Sequence, residues 1–407
     1  MLLFACGPKV YDEIDLMPSP TVFANAIVDP FDNINAQNIQ DRTKLFFATD
    51  REPSGPDDPQ AFYNNERGHL LRAGSARVQI DPPLETWAEA RRITLMADRA
   101  ETYTLSVSEV AEIGVLPFSL TRYFDDAPTE QSMQVAGREF AAQVDRQLAQ
   151  SKNKDVFIYV HGYNVDFDYS TLVSKELQHF LGYQGAFISY NWTATPSQFA
   201  YFRDQESVLS TRRYLRSTIE FLSENTRARR IHLIGYSAGT RLVFEAAYQI
   251  ALQSDPKPNL GEVILIGSDL DISFVLQSLE DGILDAVDDI TFYQSQTDAA
   301  LSVSSFVFGR QRIGQASESG TAPPALTSGL ATNENLHIID VTGAEDASLG
   351  NGHWYFQSSP WASSDLFMTL LTDQAPAERG LVREEGAIAW RFPSDYPDVL
   401  RTQAARN

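Results

Sequence analysis

A serine flanked by glycines is the residue pattern in this chain with the clearest chemical meaning. Gly235 and Gly239 flank Ser237 in a G-x-S-x-G motif, directly after the apolar run Ile231–Ile234. A helical pattern follows the motif and runs through Leu252. Between a strand and a helix, this motif places the serine on a tight, strained turn where side chains two residues away would collide. The motif predicts that Ser237 is a nucleophile at a helix N-terminus, where N–H groups favour a developing oxyanion.

A second segment is expected to bind the negative charge that develops when a serine attacks a carbonyl group. The sequence His-Gly-Tyr-Asn at 161–164 follows an apolar run and begins 76 residues before Ser237 (237 − 161). With a serine on this kind of turn, one oxyanion N–H comes from the next residue and another from an earlier strand-to-helix loop. We therefore predict an oxyanion hole made by the N–H groups of Ala238 and Tyr163, with Asn164 nearby.

The chain has six histidines, and we expect one of them to act as the general base. His353 lies in the glycine-rich segment Gly350–Phe356 after the last predicted strand, where it can reach a serine at the edge of a sheet. Imidazole is suited to act as a base near neutral pH. His161 precedes Gly162 at the end of an early strand, and we expect it to hold that loop by hydrogen bonds. The other histidines lie before the core or inside predicted helices and strands: His69, His179, His232 and His337.

Three aspartates could orient the base. Asp298 follows the penultimate predicted strand, and Asp269 and Asp271 follow the strand before it. In this type of site the chain order is serine, then acid, then histidine, so each candidate has an acceptable position. We favour Asp298 and keep Asp269 and Asp271 as alternatives. An aspartate that does not serve as the acid is expected to cap a helix or to form other hydrogen bonds.

From residue 154 onward, short apolar runs alternate with amphipathic helical patterns. Runs that are apolar at nearly every residue indicate strands covered on both faces, and their alternation with helices indicates a mostly parallel sheet. The predicted strands are Val156–Val160, Ala186–Tyr190, Ile231–Ile234, Val263–Ile266, Ile290–Tyr293 and Leu336–Val341. The predicted fold class is therefore α/β, with helices on both faces of the sheet.

The chain is predicted to have three parts. Residues 1–40 are expected to form an irregular lead-in or tether. Residues 41–375 form the main domain. In it, 41–150 contribute short N-terminal strands, among them Lys44–Ala48 and Ala76–Ile80, and one helix from Glu130 to Ser151, whereas 151–375 form the catalytic core. Residues 376–407 are expected to be a C-terminal extension that wraps the surface.

Composition and charge exclude several classes of function. The chain has 407 residues, with 54 acidic and 32 basic side chains and a net charge of −22. We expect no nucleic-acid partner, because phosphate binding depends on Lys and Arg. Phosphate-binding and dinucleotide-binding glycine motifs are absent from the sequence, and no histidines pair at metal-ligand spacing, so we expect no cofactor and no metal. No run of about 20 apolar residues indicates a membrane span.

The single cysteine bears on localisation. Cys6 follows Leu-Phe-Ala and precedes glycine, which resembles a bacterial lipoprotein signal box with a lipid-bearing cysteine. The stretch before Cys6 is short and has no basic residue, so an apolar N-terminus without this role is an equal alternative. If Cys6 is a lipid-bearing cysteine, we expect a lipid anchor and a location in the cell envelope. If it is part of a plain apolar N-terminus, we expect a cytoplasmic location.

Five segments together resemble a bacterial family of α/β hydrolases that is described as esterase-like or lipase-like, with a domain of unknown function. The segments are Phe47–Arg51, Asn65–Gly68, Val160–Asn164, Gly235–Gly239 and Tyr293–Leu301. The resemblance covers about residues 40–375 and implies the α/β-hydrolase fold, a serine nucleophile and hydrolysis of an ester-like bond. Asp50, Arg51 and Arg67 lie in the segments most particular to this family, and we expect a buried Arg–Asp tie between the N-terminal strands and the core.

The leading hypothesis is hydrolysis of a carboxylic ester, or a related acyl bond, of a small molecule. Ser237, His353 and Asp298 would act as a triad that forms an acyl-enzyme. The alternatives are an acyltransferase with the same triad and a non-catalytic binding protein of the cell envelope. Aromatic residues near the motifs are expected to line an apolar acyl pocket: Tyr163, Trp192, Tyr236, Trp354 and Tyr355.

Overall fold

The strands and helices come from a computed structural model. It describes residues 12–24, 27–32, 43–121, 124, 127–195, 201–254, 256–298, 333–385 and 387–404. The strands are β1 Glu13–Asp15, β2 Leu45–Pro53, β3 Tyr63–Asp81, β4 Thr104–Val115, β5 Val156–Val160, β6 Ala186–Asn191, β7 Ile231–Tyr236, β8 Leu260–Ile266, β9 Val287–Gln294, β10 Leu336–Asp340 and β11 Ala389–Arg391. The helices are α1 Thr21–Ala24, α2 Trp87–Leu95, α3 Glu130–Gln150, α4 Phe167–Phe180, α5 Tyr201–Asn225, α6 Gly239–Ala251, α7 Ile272–Glu280, α8 Tyr355–Ser358, α9 Pro360–Leu371 and α10 Tyr396–Ala404.

The described strands form one mixed sheet in the order β1-β4-β3-β2-β6-β5-β7-β8-β9-β10-β11. Neighbours from β2 to β11 in this order are parallel, whereas the pairs β2–β3, β3–β4 and β1–β4 are antiparallel. The predicted strands from Val156 onward are confirmed, with ends that differ by a few residues. The predicted α/β class with a mostly parallel sheet is confirmed as well.

Helices cover both faces of the parallel part, which explains why its strands are apolar at nearly every position. Side chains of β5 and β7 alternate between two apolar clusters, as the two-residue period of a strand requires. Ile158 and Leu233 pack in one cluster with α3, α5 and α6. Phe157 and Ile234 pack in the other with α4 and α9. Because these strands are parallel, the loops after β5, β7, β8, β9 and β10 meet at one edge of the sheet, where open α/β sheets bind ligands.

The N-terminal strands are longer than expected. The predicted short strand Ala76–Ile80 is the last part of the 19-residue β3, which pairs with β2 and β4. Its first half is polar and half exposed, because an antiparallel strand can face solvent on one side. The first half lacks the apolar run that marks the parallel strands, so only the last part of β3 could be predicted.

The described part of the lead-in, residues 12–24 and 27–32, packs on the core and includes regular structure. Strand β1 pairs with β4, and the Phe23 ring in α1 lies 6.3 Å from that of Phe180 in α4. The Met17 N–H donates to Glu176 Oε1 at 2.6 Å. These elements have three and four residues, which is too short for a periodic pattern to be recognised in the sequence.

The C-terminal extension also joins the fold. Strand β11 pairs in parallel with β10, so β10 is not the last strand of the described chain. Tyr396 in α10 is fully buried and its ring lies 5.5 Å from Trp361 of α9. Arg379 donates to Asp365 in α9 at 2.7 and 3.3 Å. The expectation that these residues wrap the surface was therefore wrong. A three-residue strand carries no recognisable period, so the sequence did not indicate β11.

The predicted membrane features have different outcomes. In the part of the chain that the structure describes, no helix is both long and apolar enough to cross a membrane. Cys6, the predicted site of a lipid anchor, lies outside the described residues. The anchor therefore stays a prediction.

Candidate active site

Ser237 lies on a sharp turn between β7 and α6. Its φ angle of 51° falls in the left-handed region, which is strained for a residue with a side chain. Its N–H donates to Ile266 O of β8 at 2.8 Å and fixes the turn to the neighbouring strand. A Cβ at Gly239 would lie 2.4 Å from Val160 O, and one at Gly235 would lie 2.9 Å from the Thr240 Cα. Both glycines are therefore required by close packing around the serine.

The loop after β5 lies directly beside Ser237. A Cβ on Gly162 would be 2.9 Å from Ser237 Cβ. Asn164 has a φ of 61°, so the loop carries a second left-handed residue next to half-buried Tyr163. Ala238 occupies the N-cap of α6, and no side chain hydrogen bond caps that end. The segments that carry the two predicted oxyanion donors, Tyr163 and Ala238, thus approach Ser237 from two sides.

His161 lies beneath this loop and bonds to its backbone. Its Nδ1 is 2.7 Å from Gly162 O and its Nε2 is 3.1 Å from Trp192 O. The imidazole stacks on the Trp192 ring at 5.3 Å, and Trp192 Nε1 donates to His161 O at 2.7 Å. Burial and, to a smaller extent, Arg51 lower the pKa of His161 to about 3. A neutral imidazole has one N–H, so it donates to one of these carbonyl oxygens and lies against the other, and either contact fits the expected role of holding the loop.

Arg51 supports the same loop through partners that the sequence analysis did not anticipate. The guanidinium is fully buried and donates to Asn65 Oδ1 at 2.5 Å and to Val165 O at 2.9 Å. Asp50 instead accepts from the N–H and the hydroxyl of Thr193, at 3.1 and 3.2 Å. The expected direct Arg–Asp tie was therefore wrong in its partners. By donating to the buried Val165 O, Arg51 connects β2 to the loop after β5.

Arg67 has a simpler contact at the surface. Its Nη1 donates to Ser210 Oγ at 2.8 Å and to Glu206 O at 3.3 Å, both in α5. Arg67 thus ties β3 to the helix that follows β6. Within the described residues, these hydrogen bonds join Arg67 to α5 rather than to the residues around Ser237.

His353 and Asp298 form a buried pair at the same edge of the sheet. His353 Nδ1 lies 2.6 Å from Asp298 Oδ2. Asp298 is fully buried and His353 is 5% exposed. The other ring nitrogen, Nε2, is buried and has no hydrogen-bond partner within the described residues. An imidazole fixed at Nδ1 with Nε2 left for a reacting group is the arrangement expected of a general base.

The alternative acids have other partners. Asp269 accepts from Arg241 Nε at 2.8 Å, and Arg241 also donates to Asp269 O at 3.2 Å. Asp271 is the N-cap of α7 and accepts from the Ser273 N–H at 2.8 Å. These contacts are the hydrogen-bonding and capping roles expected for an aspartate outside the triad.

The remaining histidines contact residues away from Ser237. His69 stacks on Phe124 at 3.6 Å, and His179 bonds to Thr94 and Tyr183. His232 bonds to Asp155 at 3.3 Å, and His337 bonds to Asp289 at 3.0 Å. These positions agree with the expectation that they do not act as the base.

Comparison with known families agrees with this geometry. The family described as "Alpha/beta hydrolase of unknown function (DUF900)" matches residues 137–373, which is more than half of the chain. The chain belongs to this family. No curated protein matches the chain at a significant level. The predicted α/β-hydrolase fold is thereby confirmed, and the match spans β5 through α9, including Ser237, Asp298 and His353.

In this alpha/beta hydrolase, Gly267 packs against the His353 ring and Tyr355 holds Gly267, and neither role was predicted. A Cβ on Gly267 would lie 2.9 Å from His353 Cε1, and the φ of Gly267 is 57°. The Gly267 N–H donates to the Tyr355 hydroxyl at 2.6 Å, and that hydroxyl donates to Tyr293 O at 2.8 Å. The glycine after β8 and the tyrosine two residues beyond His353 were both visible in the sequence. Their roles depend on contacts between strands, which the sequence pattern does not reveal.

The aromatic residues expected in an acyl pocket divide into two groups. Trp192 and Tyr355 are fully buried and form the hydrogen bonds given above, and Tyr236 is 2% exposed. The Tyr236 hydroxyl donates to His353 O at 3.3 Å. Tyr163 and Trp354 are half-buried beside these residues. Only the latter two are therefore accessible enough to contact a substrate.

Proposed function

We propose that this member of the family is a serine hydrolase that cleaves a carboxylic ester or a related acyl bond. The observation that carries the proposal is the buried His353–Asp298 pair, with Nδ1 and Oδ2 2.6 Å apart. The same imidazole presents an Nε2 without a partner in the described chain, at the sheet edge that also holds the strained turn of Ser237. Triads of this kind are recognised by geometry and chain order, and the order here is serine, acid, histidine.

In the proposed first step, Ser237 Oγ attacks the carbonyl carbon of the substrate while His353 Nε2 takes the hydroxyl proton. Asp298 holds the imidazole by Nδ1–H and stabilises the imidazolium that forms. The N–H groups of Ala238 and Tyr163 would donate to the oxyanion of the tetrahedral intermediate. When the intermediate collapses, His353 returns the proton to the leaving alcohol and the acyl group stays on Ser237.

In the second step, water replaces the alcohol as the nucleophile. His353 removes a proton from water, the hydroxide attacks the acyl carbon, and the carboxylic acid leaves as Ser237 regains its proton. The buried position of Asp298 keeps the electrostatic support of the imidazolium strong, because few water molecules screen it. Half-buried Tyr163 and Trp354 are the proposed contacts for an apolar acyl group.

The experiment that tests this function is labelling of the purified protein with a fluorophosphonate, followed by peptide mass spectrometry. A single adduct on Ser237, lost in Ser237→Ala, would establish an activated nucleophile. Ser268 is a matched control, since it is fully buried in the next loop and its hydroxyl bonds to Thr240 at 3.2 Å. Ser268→Ala should label normally. Absence of any adduct on the folded protein would overturn the proposal and favour a non-catalytic binding protein.

A further inference from the structure

A cavity lies at the edge of the sheet opposite to Ser237, where the parallel strands begin. It has a volume of about 340 Å³, within the lower range of small-molecule sites. Its walls come from the starts of β8, β9 and β10 and from the segment after α9. The charged residues that line it are Arg230, Glu262, Asp288, Asp289, Glu334, Asp373 and Arg379, with His337 beside them.

Glu262 is the unusual group in this cavity. Its side chain is 8% exposed, and its Oε2 is buried without a hydrogen-bond partner. In the described residues, no hydrogen bond or ion pair involves its carboxyl group; its backbone N–H donates to His232 Nδ1 at 3.0 Å. A buried carboxyl group without a donor is costly, so such a group calls for an explanation.

A second carboxylate stands next to Glu262. In the parallel pairing of β8 with β9, Glu262 is in register with Asp289, which places both side chains on one face. Like charges in directly adjacent positions repel each other. His337 Nε2 bonds to Asp289 Oδ1 at 3.0 Å, which balances Asp289 only when the imidazole is protonated. Burial, together with Asp289, raises the pKa of Glu262 to about 8.

The nearby arginines are bound to other carboxylates. Arg379 forms a two-point contact with buried Asp365, at 2.7 and 3.3 Å. Arg230 donates to Asp155 at 3.1 Å, to Asp373 at 3.0 Å and to Asp288 at 3.4 Å. Because these guanidinium groups are already shared among acids, the cavity keeps an excess of negative charge.

The backbone of Glu262 is held in place by its neighbours. The imidazole of His232 bonds to the Glu262 N–H through Nδ1 and to Asp155 through Nε2. A Cβ on Gly261 would lie 2.6 Å from His232 Cε1, so the backbone packs tightly against that ring. A rigid strand thus holds the unpartnered carboxyl group at the cavity wall, which is typical of a built binding site.

We propose that this cavity binds a small organic cation, such as a primary ammonium or guanidinium compound, whose N–H groups donate to Glu262 and Asp289. The cation would supply the missing hydrogen bonds and would compensate the charges of both carboxylates once Glu262 has lost its proton. The cavity is much larger than a bare metal ion. Among the described residues, no group of three His, Cys, Asp or Glu side chains is arranged to hold a metal. The almost wholly polar lining, with Ala375 as its apolar member, suits a short polyamine better than an amine with a bulky apolar body.

The test measures binding of 1,4-diaminobutane and agmatine to the full chain by calorimetry at pH 9, where Glu262 is ionised, and at constant ionic strength. We expect saturable binding to the wild type and a loss of affinity of at least about tenfold in Glu262→Gln, because the variant removes a buried charge partner. Glu224→Gln is the matched control: it makes the same charge change at an exposed site on α5 and should bind like the wild type. 1,4-Butanediol, a neutral diol of the same length, should not bind.

Several outcomes would overturn the proposal. One is the absence of saturable heat with either amine; another is equal binding by Glu262→Gln and the wild type. A response to Mg²⁺ or Ca²⁺ that depends on Glu262, without a response to the amines, would assign the cavity to a metal instead. Circular dichroism and thermal unfolding of Glu262→Gln check that the variant is folded, so the result does not depend on the proposed hydrolase activity.

Discussion

His353 Nδ1 and Asp298 Oδ2 lie 2.6 Å apart although 55 residues separate them in the chain. Asp298 follows β9, whereas His353 follows β10, and these strands are parallel neighbours. Their C-terminal ends therefore meet at the edge where Ser237 follows β7. The distance is that of a strong hydrogen bond to a carboxylate, which fixes the tautomer with the proton on Nδ1. Several predictions about the proposed triad depend on this contact.

Replacing Asp298 by Asn should slow labelling of Ser237 by about 10³–10⁴-fold. The amide can donate to Nδ1 and so hold the imidazole in the wrong tautomer, with its proton on Nε2. The rate of fluorophosphonate labelling measures the effect. Asp269→Asn is the control, since Asp269 bonds to Arg241 and its amide can still accept from that side chain. If the two variants label at similar rates, Asp298 is not the acid.

Gly267→Ala should displace His353 and reduce labelling of Ser237 by at least about tenfold. The added Cβ would lie 2.9 Å from His353 Cε1, and alanine at a φ of 57° costs about 1–2 kcal/mol in backbone strain. Gly343→Ala provides the comparison, because a Cβ there meets no atom within 4 Å. Parallel measurement of thermal unfolding separates loss of folding from local displacement. Normal labelling of Gly267→Ala would show that His353 is not positioned through this contact.

Tyr355→Phe should lower the free energy of unfolding by about 1–2 kcal/mol. The variant loses the hydroxyl that accepts from Gly267 N–H and donates to Tyr293 O, and leaves buried backbone groups with weaker bonding. In contrast, the buried Tyr396 hydroxyl has no hydrogen-bond partner in the described residues, so Tyr396→Phe should be neutral or stabilising. Urea unfolding of both variants tests the difference. Equal destabilisation would mean that the Tyr355 hydrogen bonds contribute little.

Much of the parallel sheet could be predicted, because strands covered on both faces are apolar throughout. Val156–Val160 was predicted with the ends that the structure shows. Only the last part of the 19-residue β3 was predicted, and the three-residue β11 was not predicted. An antiparallel strand facing solvent needs no apolar run, and a three-residue strand gains its stability from its neighbour rather than from its own sequence.

The motifs around Ser237 could be located from the sequence, but the partners of each side chain could not. The sequence left three aspartates open, and only the pairing of β9 with β10 puts Asp298 beside His353. A buried Arg–Asp tie was expected, yet the hydrogen bonds of Arg51 go to Asn65 and Val165. Such choices depend on which buried acceptors lack a donor in three dimensions, and residue spacing carries no information on that.

The pH dependence of stability should reveal the buried carboxyl group of Glu262. Its folded-state pKa is raised to about 8, chiefly by burial and then by Asp289, whereas an exposed glutamate has a pKa of 4.5. Between these values the folded protein binds a proton that the unfolded chain has lost, so the contribution of Glu262 to stability is present below pH 4.5 and is lost as the pH rises to 8.

Glu262→Gln removes this titration, so its melting temperature should approach that of the wild type near pH 5 and exceed it increasingly up to pH 8. Above pH 8 the difference should stay constant, because Glu262 is then ionised in both states of the wild type. Thermal unfolding of both proteins from pH 5 to 9, without amines, measures the effect. Glu224→Gln should show no such trend, since Glu224 is exposed. A difference that is independent of pH would mean that Glu262 is already charged and stabilised in the folded protein.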